Sequence, residues 1–200
     1  MFIAIEGCIG AGKTTVAKGL AARRGSSLLL EDFEANPFIR AFYADPVGTA
    51  IETEFAFLML HFHQLKGVAR EMVEGAVVTD FHLGKDLLYA ELNVTDEPVR
   101  RVFGELYELC MERLRTPDVL VFLSASTELI VDRIRRRNRD FELTIDSKYY
   151  AAINAAYETL FETHLGTKVR IDMDRWDFVR DPVLFEELDR LVNTELTSRG

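Results

Sequence analysis

The segment Gly7-Cys8-Ile9-Gly10-Ala11-Gly12-Lys13-Thr14 constrains this 200-residue chain more than any other. It satisfies the pattern G-x-x-x-x-G-K-[ST] in full. An apolar run at residues 2–5 precedes it, and Val16, Ala17, Leu20 and Ala21 follow at helical spacing. Strand, glycine-rich turn and helix in that order make a loop whose backbone N–H groups converge on phosphate oxygens. The dipole of the helix that opens there favours the same anion. Lys13 supplies a point charge to the β and γ phosphates, and Thr14 a hydroxyl to Mg²⁺. Gly7, Cys8, Ile9, Gly10, Ala11, Gly12, Lys13, Thr14 and Thr15 are therefore the expected ATP-binding residues, with Lys13 also catalytic. Cys8 reads as a small filler of the loop, with a reactive thiol as the alternative.

Four further short apolar runs lie at residues 27–30, 76–79, 119–123 and 168–171. Helical spacing predicts helices over about 14–24, 50–74, 96–115, 128–137, 146–164 and 181–197. Fully apolar runs alternating with helices are the pattern of a parallel sheet covered on both faces. The expected fold is α/β, of the P-loop NTPase kind: a three-layer sandwich around a five-stranded parallel sheet, with an arginine-rich lid. No linker, repeat or low-complexity tract interrupts it, so residues 1–200 are read as a single domain.

Composition narrows the function classes. Lys and Arg number 24 against 33 Asp and Glu, a net charge of −9, which argues against a partner that is a nucleic-acid polymer. Two cysteines are too few for a disulfide framework. No apolar run reaches the roughly 18 residues of a membrane span, and the N-terminus lacks a basic, then apolar leader. A soluble, cytoplasmic protein is expected. No Asn-Lys-x-Asp segment of the GTPase kind is present.

The second apolar run ends in Glu31. A carboxylate at the C-terminal end of a parallel strand beside the phosphate-loop strand points into the ligand crevice. There it can take a proton from a hydroxyl that attacks the γ-phosphoryl group; the alternative is a solvated loop acid. Residues 133–139 hold five arginines and no acid. Arg133 and Arg137 share a helix face and suit a phosphoryl group in transfer, through fixed charge and paired hydrogen bonds. The alternative there is a solvated basic face or an RNA patch. Residues 172–176, with Trp176, follow the fifth run where the donor base is expected to lie.

Several motifs together resemble the deoxynucleoside kinase family, the bacterial deoxyadenosine/deoxyguanosine kinases in particular. They are the phosphate loop, Glu31 followed by Asn36-Pro37-Phe38, Phe42-Tyr43-Ala44-Asp45, the helix ending His63-Gln64-Leu65-Lys66, and the Arg133-Ile134 to Arg139 run. The resemblance covers about residues 1–165. It implies that Glu31 activates a 5′-hydroxyl, that Tyr43 and Glu142 contact the sugar 3′-hydroxyl, and that Asp80 helps Thr14 hold hydrated Mg²⁺. It also implies a homodimer. Phe55, Phe57, Phe62 and Phe81 are candidates for the base pocket or, equally, for the core.

Two positions depart from the family pattern. The glutamine that usually holds the base is matched by Glu54. An ionised carboxylate accepts only, which suits the two adjacent donors of guanine; the alternative is that Glu54 faces solvent or pairs with Lys66 or Arg70. The arginine that usually follows the acid is matched by Phe81, in Asp80-Phe81-His82. Lys85 is expected to supply the missing cation, with His82 the next candidate. The reading is an ATP-dependent transfer to the 5′-hydroxyl of a deoxynucleoside, which the resemblance implies is a purine one. The alternatives are a thymidylate kinase or a nucleotide-binding regulator without turnover.

Overall fold

The computed structural model describes residues 1–71, 75–139 and 146–198. Five segments form one sheet: β1 (Phe2–Gly7), β2 (Ser27–Leu29), β3 (Val77–Thr79), β4 (Val119–Ser124) and β5 (Lys168–Asp172). Every pairing is parallel and the spatial order is β2-β3-β1-β4-β5. All six residues of β1 are buried, as a central strand covered on both faces requires.

The strand period of two sorts these side chains into two cores. Ile3 and Ile5 belong to one, with Val119, Val121 and Leu123 of β4. Helices α1 (Lys13–Arg24), α8 (Ser147–Thr163) and α9 (Leu184–Thr197) close that face through Val16, Leu20, Ile153, Tyr157, Leu188 and Val192. Phe2 and Ala4 belong to the other, with Val77 and Leu120. Helices α3 (Ala50–Leu65), α5 (Gly84–Asn93) and α6 (Glu97–Met111) close it through Leu58, Leu65, Leu83 just ahead of α5, Ala90 and Phe103. Three layers result, as expected. The short helices α2 (Ile39–Ala44) and α4 (Val68–Glu71), α7 (Thr127–Arg137) and a 3-10 turn at Phe33–Ala35 complete the described elements. No helix among the described residues is long and apolar enough to cross a membrane.

Three helices differ from the sequence expectation, the short α2 among them, which no expected helix covers. The helix expected over 50–74 ends at Leu65, and α4 starts after Gly67. Helix α5 was not expected at all. Its first turn holds Lys85 and Asp86, both buried. A rule that assigns charged residues to the solvent face scrambles the period of such a helix.

The order of strands brings the C-terminal ends of β1, β2 and β3 side by side, and the phosphate loop, Glu31 and Asp80 follow them. At Gly7 the chain turns with φ +148°, where a Cβ would lie 2.7 Å from the carbonyl oxygen of Leu123. Only glycine fits that close approach. Gly7→Ala is expected to cost about 2 kcal/mol of stability, read as a lower urea midpoint; an unchanged midpoint would contradict the packing described.

Candidate active site

Lys13 opens α1 from a loop in which Gly10 and Gly12 take φ +84° and +106°. Its ammonium donates to the carbonyl oxygens of Gly7 at 2.7 Å and Cys8 at 3.2 Å. Burial and the nearby Lys85 cation lower its pKa. Thr14 Oγ1 donates to Asp80 Oδ2 at 2.6 Å, and Asp80 Oδ1 accepts from the Glu31 N–H at 2.7 Å. Asp80 thus ties the phosphate loop to the strand end that carries Glu31. From α7, Arg133 Nη1 donates to the Ala11 carbonyl at 2.7 Å. Arg136 instead pairs with Asp132 on the exposed face.

Glu31 accepts from Lys85 Nζ at 2.6 Å, and His61 Nε2 lies 3.2 Å from the same oxygen. On its other side His61 Nδ1 lies 2.7 and 2.9 Å from the two carboxylate oxygens of Asp86. Burial works to raise the Glu31 pKa, but Lys85 and His61 override it and hold the carboxyl well below the usual range. Burial likewise works against the cations. Asp86 and Glu31 nonetheless raise His61 to about 9, and Glu31, Glu6 and Asp86 raise Lys85. The four groups form a buried chain of alternating charge: Lys85, Glu31, His61, Asp86.

The segment after β2 is pinned to α3 by two amides. Buried Asn36 donates to the Thr53 carbonyl at 3.0 Å, and Gln64 donates to the Leu30 carbonyl at 3.1 Å. These bonds give the Asn-Pro-Phe segment and the end of α3 a positional role.

A cavity of about 540 Å³ joins these groups. Its walls include Ile9, Gly10, Gly12, Lys13, Thr14 and Thr15 at the phosphate loop. Glu31, Asp80, Lys85, Arg133 and Arg137 border it, and Tyr43, Glu54, Phe57, Asn93 and Tyr149 extend it away from the loop. That size and polar-apolar mixture suit a small organic ligand. Gly7, Cys8 and Ala11 shape the loop from behind without lining it. Cys8 is fully buried, with its thiol pushed up to about 12 by burial, and it fills the loop.

Not every expected residue reaches the cavity. Phe81 is fully buried in the core and its ring lies 5.0 Å from His61, while Phe55 packs edge-on against Phe103 at 5.1 Å. Of the two roles open to Phe55 and Phe81, base pocket or core, both rings take core packing, so neither stands as a substrate-binding residue. Phe62 also packs against that core, and of the four phenylalanines only Phe57 lines the cavity, stacked 5.3 Å from His61. His82 Nδ1 accepts from the Gly84 N–H at 3.1 Å, and burial lowers this histidine to about 4. It is no cation for Glu31. Glu142 lies outside the described residues.

Glu54 is 3% exposed and accepts from Asn93 Nδ2 at 2.8 Å. It neither faces solvent nor pairs with Lys66 or Arg70. Burial pushes it up to about 8. Tyr149 in turn donates to Asn93 Oδ1 at 3.0 Å. His61, Asp86, Asn93 and Tyr149 went unread in the sequence, where nothing links α3, α5 and α8 to one another.

A cation paired with a strand-end carboxylate beside a phosphate loop describes a phosphotransferase. The model of the deoxynucleoside kinase family matches residues 3–197. The chain belongs to that family. It is an ATP-dependent nucleoside kinase. The chain is 29% identical to a deoxyguanosine kinase of Bacillus subtilis over 194 residues, 94% of this chain and 93% of the relative. It is 26% identical to a deoxyadenosine kinase of Lactobacillus acidophilus, over 99% and 97% of the two chains. The structure of a deoxyadenosine kinase from M. mycoides with bound dCTP superimposes with a TM-score of 0.81 at 24% identity, over 95% of this chain and all of the other, and supports the fold. Neither alternative reading gains support from these relatives.

Because the kinase holds His61 raised from 6.5 to about 9, the histidine stabilises the fold fully below about pH 6.5. That contribution falls as pH rises and is gone above about 9. The stability gap between wild type and His61→Gln is therefore expected to narrow steadily across that window in urea titrations. A gap that is constant or widens with pH would contradict a buried imidazolium.

Proposed function

We propose that the kinase transfers the γ-phosphoryl group of ATP to the 5′-hydroxyl of a purine deoxynucleoside, with Mg²⁺, as a step of nucleotide salvage. The observation that carries the reading is the placement of Glu31. It sits in the cavity between the phosphate loop and the Glu54 end, ionised and held by Lys85. Glu31 accepts the proton of the 5′-hydroxyl as that oxygen forms its bond to the γ-phosphorus. The bond from the γ-phosphorus to the bridging oxygen breaks, and its electron pair leaves with ADP.

Lys13 and the loop amides hold phosphate. Arg133 and Arg137 offset the charge that spreads over the transferred group. Lys85 stands where the family arginine is missing, keeping Glu31 in place and ionised until the hydroxyl arrives. Thr14 and Asp80 present an all-oxygen pair beside the loop, a donor set that fits Mg²⁺. The metal, when bound, neutralises phosphate charge. Tyr43 and Glu142 are assigned to the sugar hydroxyl, Glu54 with Phe57 to the base.

Purine preference rests on the relatives named above; Glu54 accepts from both donors of guanine when ionised and offers adenine a donor beside an acceptor when neutral. We also read the 200 residues as one kinase domain, acting in the cytoplasm as a homodimer.

A coupled assay over the four deoxynucleosides and their monophosphates is expected to show turnover with deoxyguanosine and deoxyadenosine. A strong pyrimidine preference, or transfer to monophosphates alone, would overturn the reading. Lys85→Met is expected to lower kcat/KM at least about 100-fold, the scale of removing one charge-stabilising group. A value near wild type would remove Lys85 from the mechanism.

A further inference from the structure

The far end of the cavity contains a carboxyl group whose hydrogen-bonding sense is set by its neighbours. Tyr149 Oη donates to Asn93 Oδ1, which leaves Asn93 Nδ2 to donate to Glu54 Oε1. One oxygen of Glu54 is thereby fixed as an acceptor. In this arrangement a proton on Glu54 is accommodated on Oε2, away from the Asn93 donor. The neutral side chain then offers one donor and one acceptor, the set a glutamine offers; the ionised one offers acceptors only.

Nucleobases divide along the same line. Adenine presents an acceptor at N1 beside a donor at its 6-amino group, and cytosine presents N3 beside its 4-amino group. Guanine presents two donors, N1–H and the 2-amino group. A neutral Glu54 complements adenine and cytosine and, through O6 beside N1–H, guanine as well; an ionised Glu54 complements only the two adjacent donors of guanine.

Resting on the proposed function above, we infer that the proton on Glu54 selects the base, so that this kinase keeps guanine-type substrates and loses adenine-type ones as Glu54 ionises. The groups around it decide whether that happens within the working range of the enzyme. Asp86 of α5 disfavours the ionised form. Lys85 of α5 and His61 of α3 favour it, as does the Asn93 hydrogen bond, while burial opposes it and prevails. Tyr149 of α8 faces the cluster as a neutral phenol, its own pKa raised by burial. The net result places the titration near 8.

The test is the ratio of kcat/KM for deoxyguanosine to that for deoxyadenosine, measured on the wild-type enzyme from about pH 6.5 to 9. Taking the ratio cancels every titration that both substrates share, including those of His61 and Glu6. The ratio is expected to rise about tenfold or more, the scale of mismatching one buried donor or acceptor, with deoxycytidine falling in parallel with deoxyadenosine. Glu54→Gln holds a donor and an acceptor at every pH; its ratio should be flat, which also subtracts any ionisation of guanine itself. If both purines are phosphorylated by wild type and the ratio does not change with pH, the inference is wrong while the kinase reading stands. If the ratio moves equally in Glu54→Gln, Glu54 is not the switch. If no deoxynucleoside is phosphorylated at all, the reading of the site falls and the inference falls with it.

Discussion

A carboxylate buried beside a phosphate site stays ionised only when a cation is buried with it. Glu31 meets that condition through Lys85 at 2.6 Å, and His61 and Asp86 extend the pair into a chain of alternating charge. Removing one member of such a buried pair leaves an uncompensated charge, at a cost of roughly 3–5 kcal/mol. The fold is arranged to avoid that cost. Helix α5 places Lys85 and Asp86 on one buried turn, α3 brings His61 between the two acids, and Asn36 and Gln64 fasten the Glu31 segment against α3. Phe81, where the family has an arginine, packs against His61 from the core side.

The cavity has two chemical ends that share this centre. At the phosphate end Lys13, Arg133 and Arg137 gather positive charge in a chain whose net charge is −9. The global excess of acid repels polyanions, while local cations still attract a small one. At the other end Glu54, Asn93 and Tyr149 form a directional hydrogen-bond chain. Phe57 lines the cavity and stacks on His61. The Glu54 end of the cavity is therefore held relative to Glu31, whose own support runs through the same two helices.

The parts of this arrangement legible in the sequence are the local ones. The phosphate loop declares itself within eight residues, because the turn, the dipole and the lysine are contiguous. The central strands β1, β3 and β4 declare themselves because a doubly covered strand is apolar along its length, whereas the edge strands β2 and β5 carry exposed positions. Glu31 and Asp80 follow from strand-end logic, and Lys85 from the need for a cation near Phe81. What escaped are contacts that depend on tertiary folding. His61 looks like one more residue of an aromatic-rich helix, and its two carboxylate partners lie 30 and 25 residues away. Helix α5 hides because its charged residues face inward. Phe55 and Phe81 show the converse: an aromatic side chain near a site has the same signature whether it faces ligand or core, and here the core takes both.

The central claim is that Lys85 keeps Glu31 ionised. Carbon-13 NMR of the Glu31 carboxyl, titrated with pH in wild type and in Lys85→Met, measures that directly. The account predicts a wild-type carboxyl that stays ionised to the acid limit of the folded protein, and a variant that protonates at or above the ordinary carboxylate range. The same low titration in both proteins would contradict it.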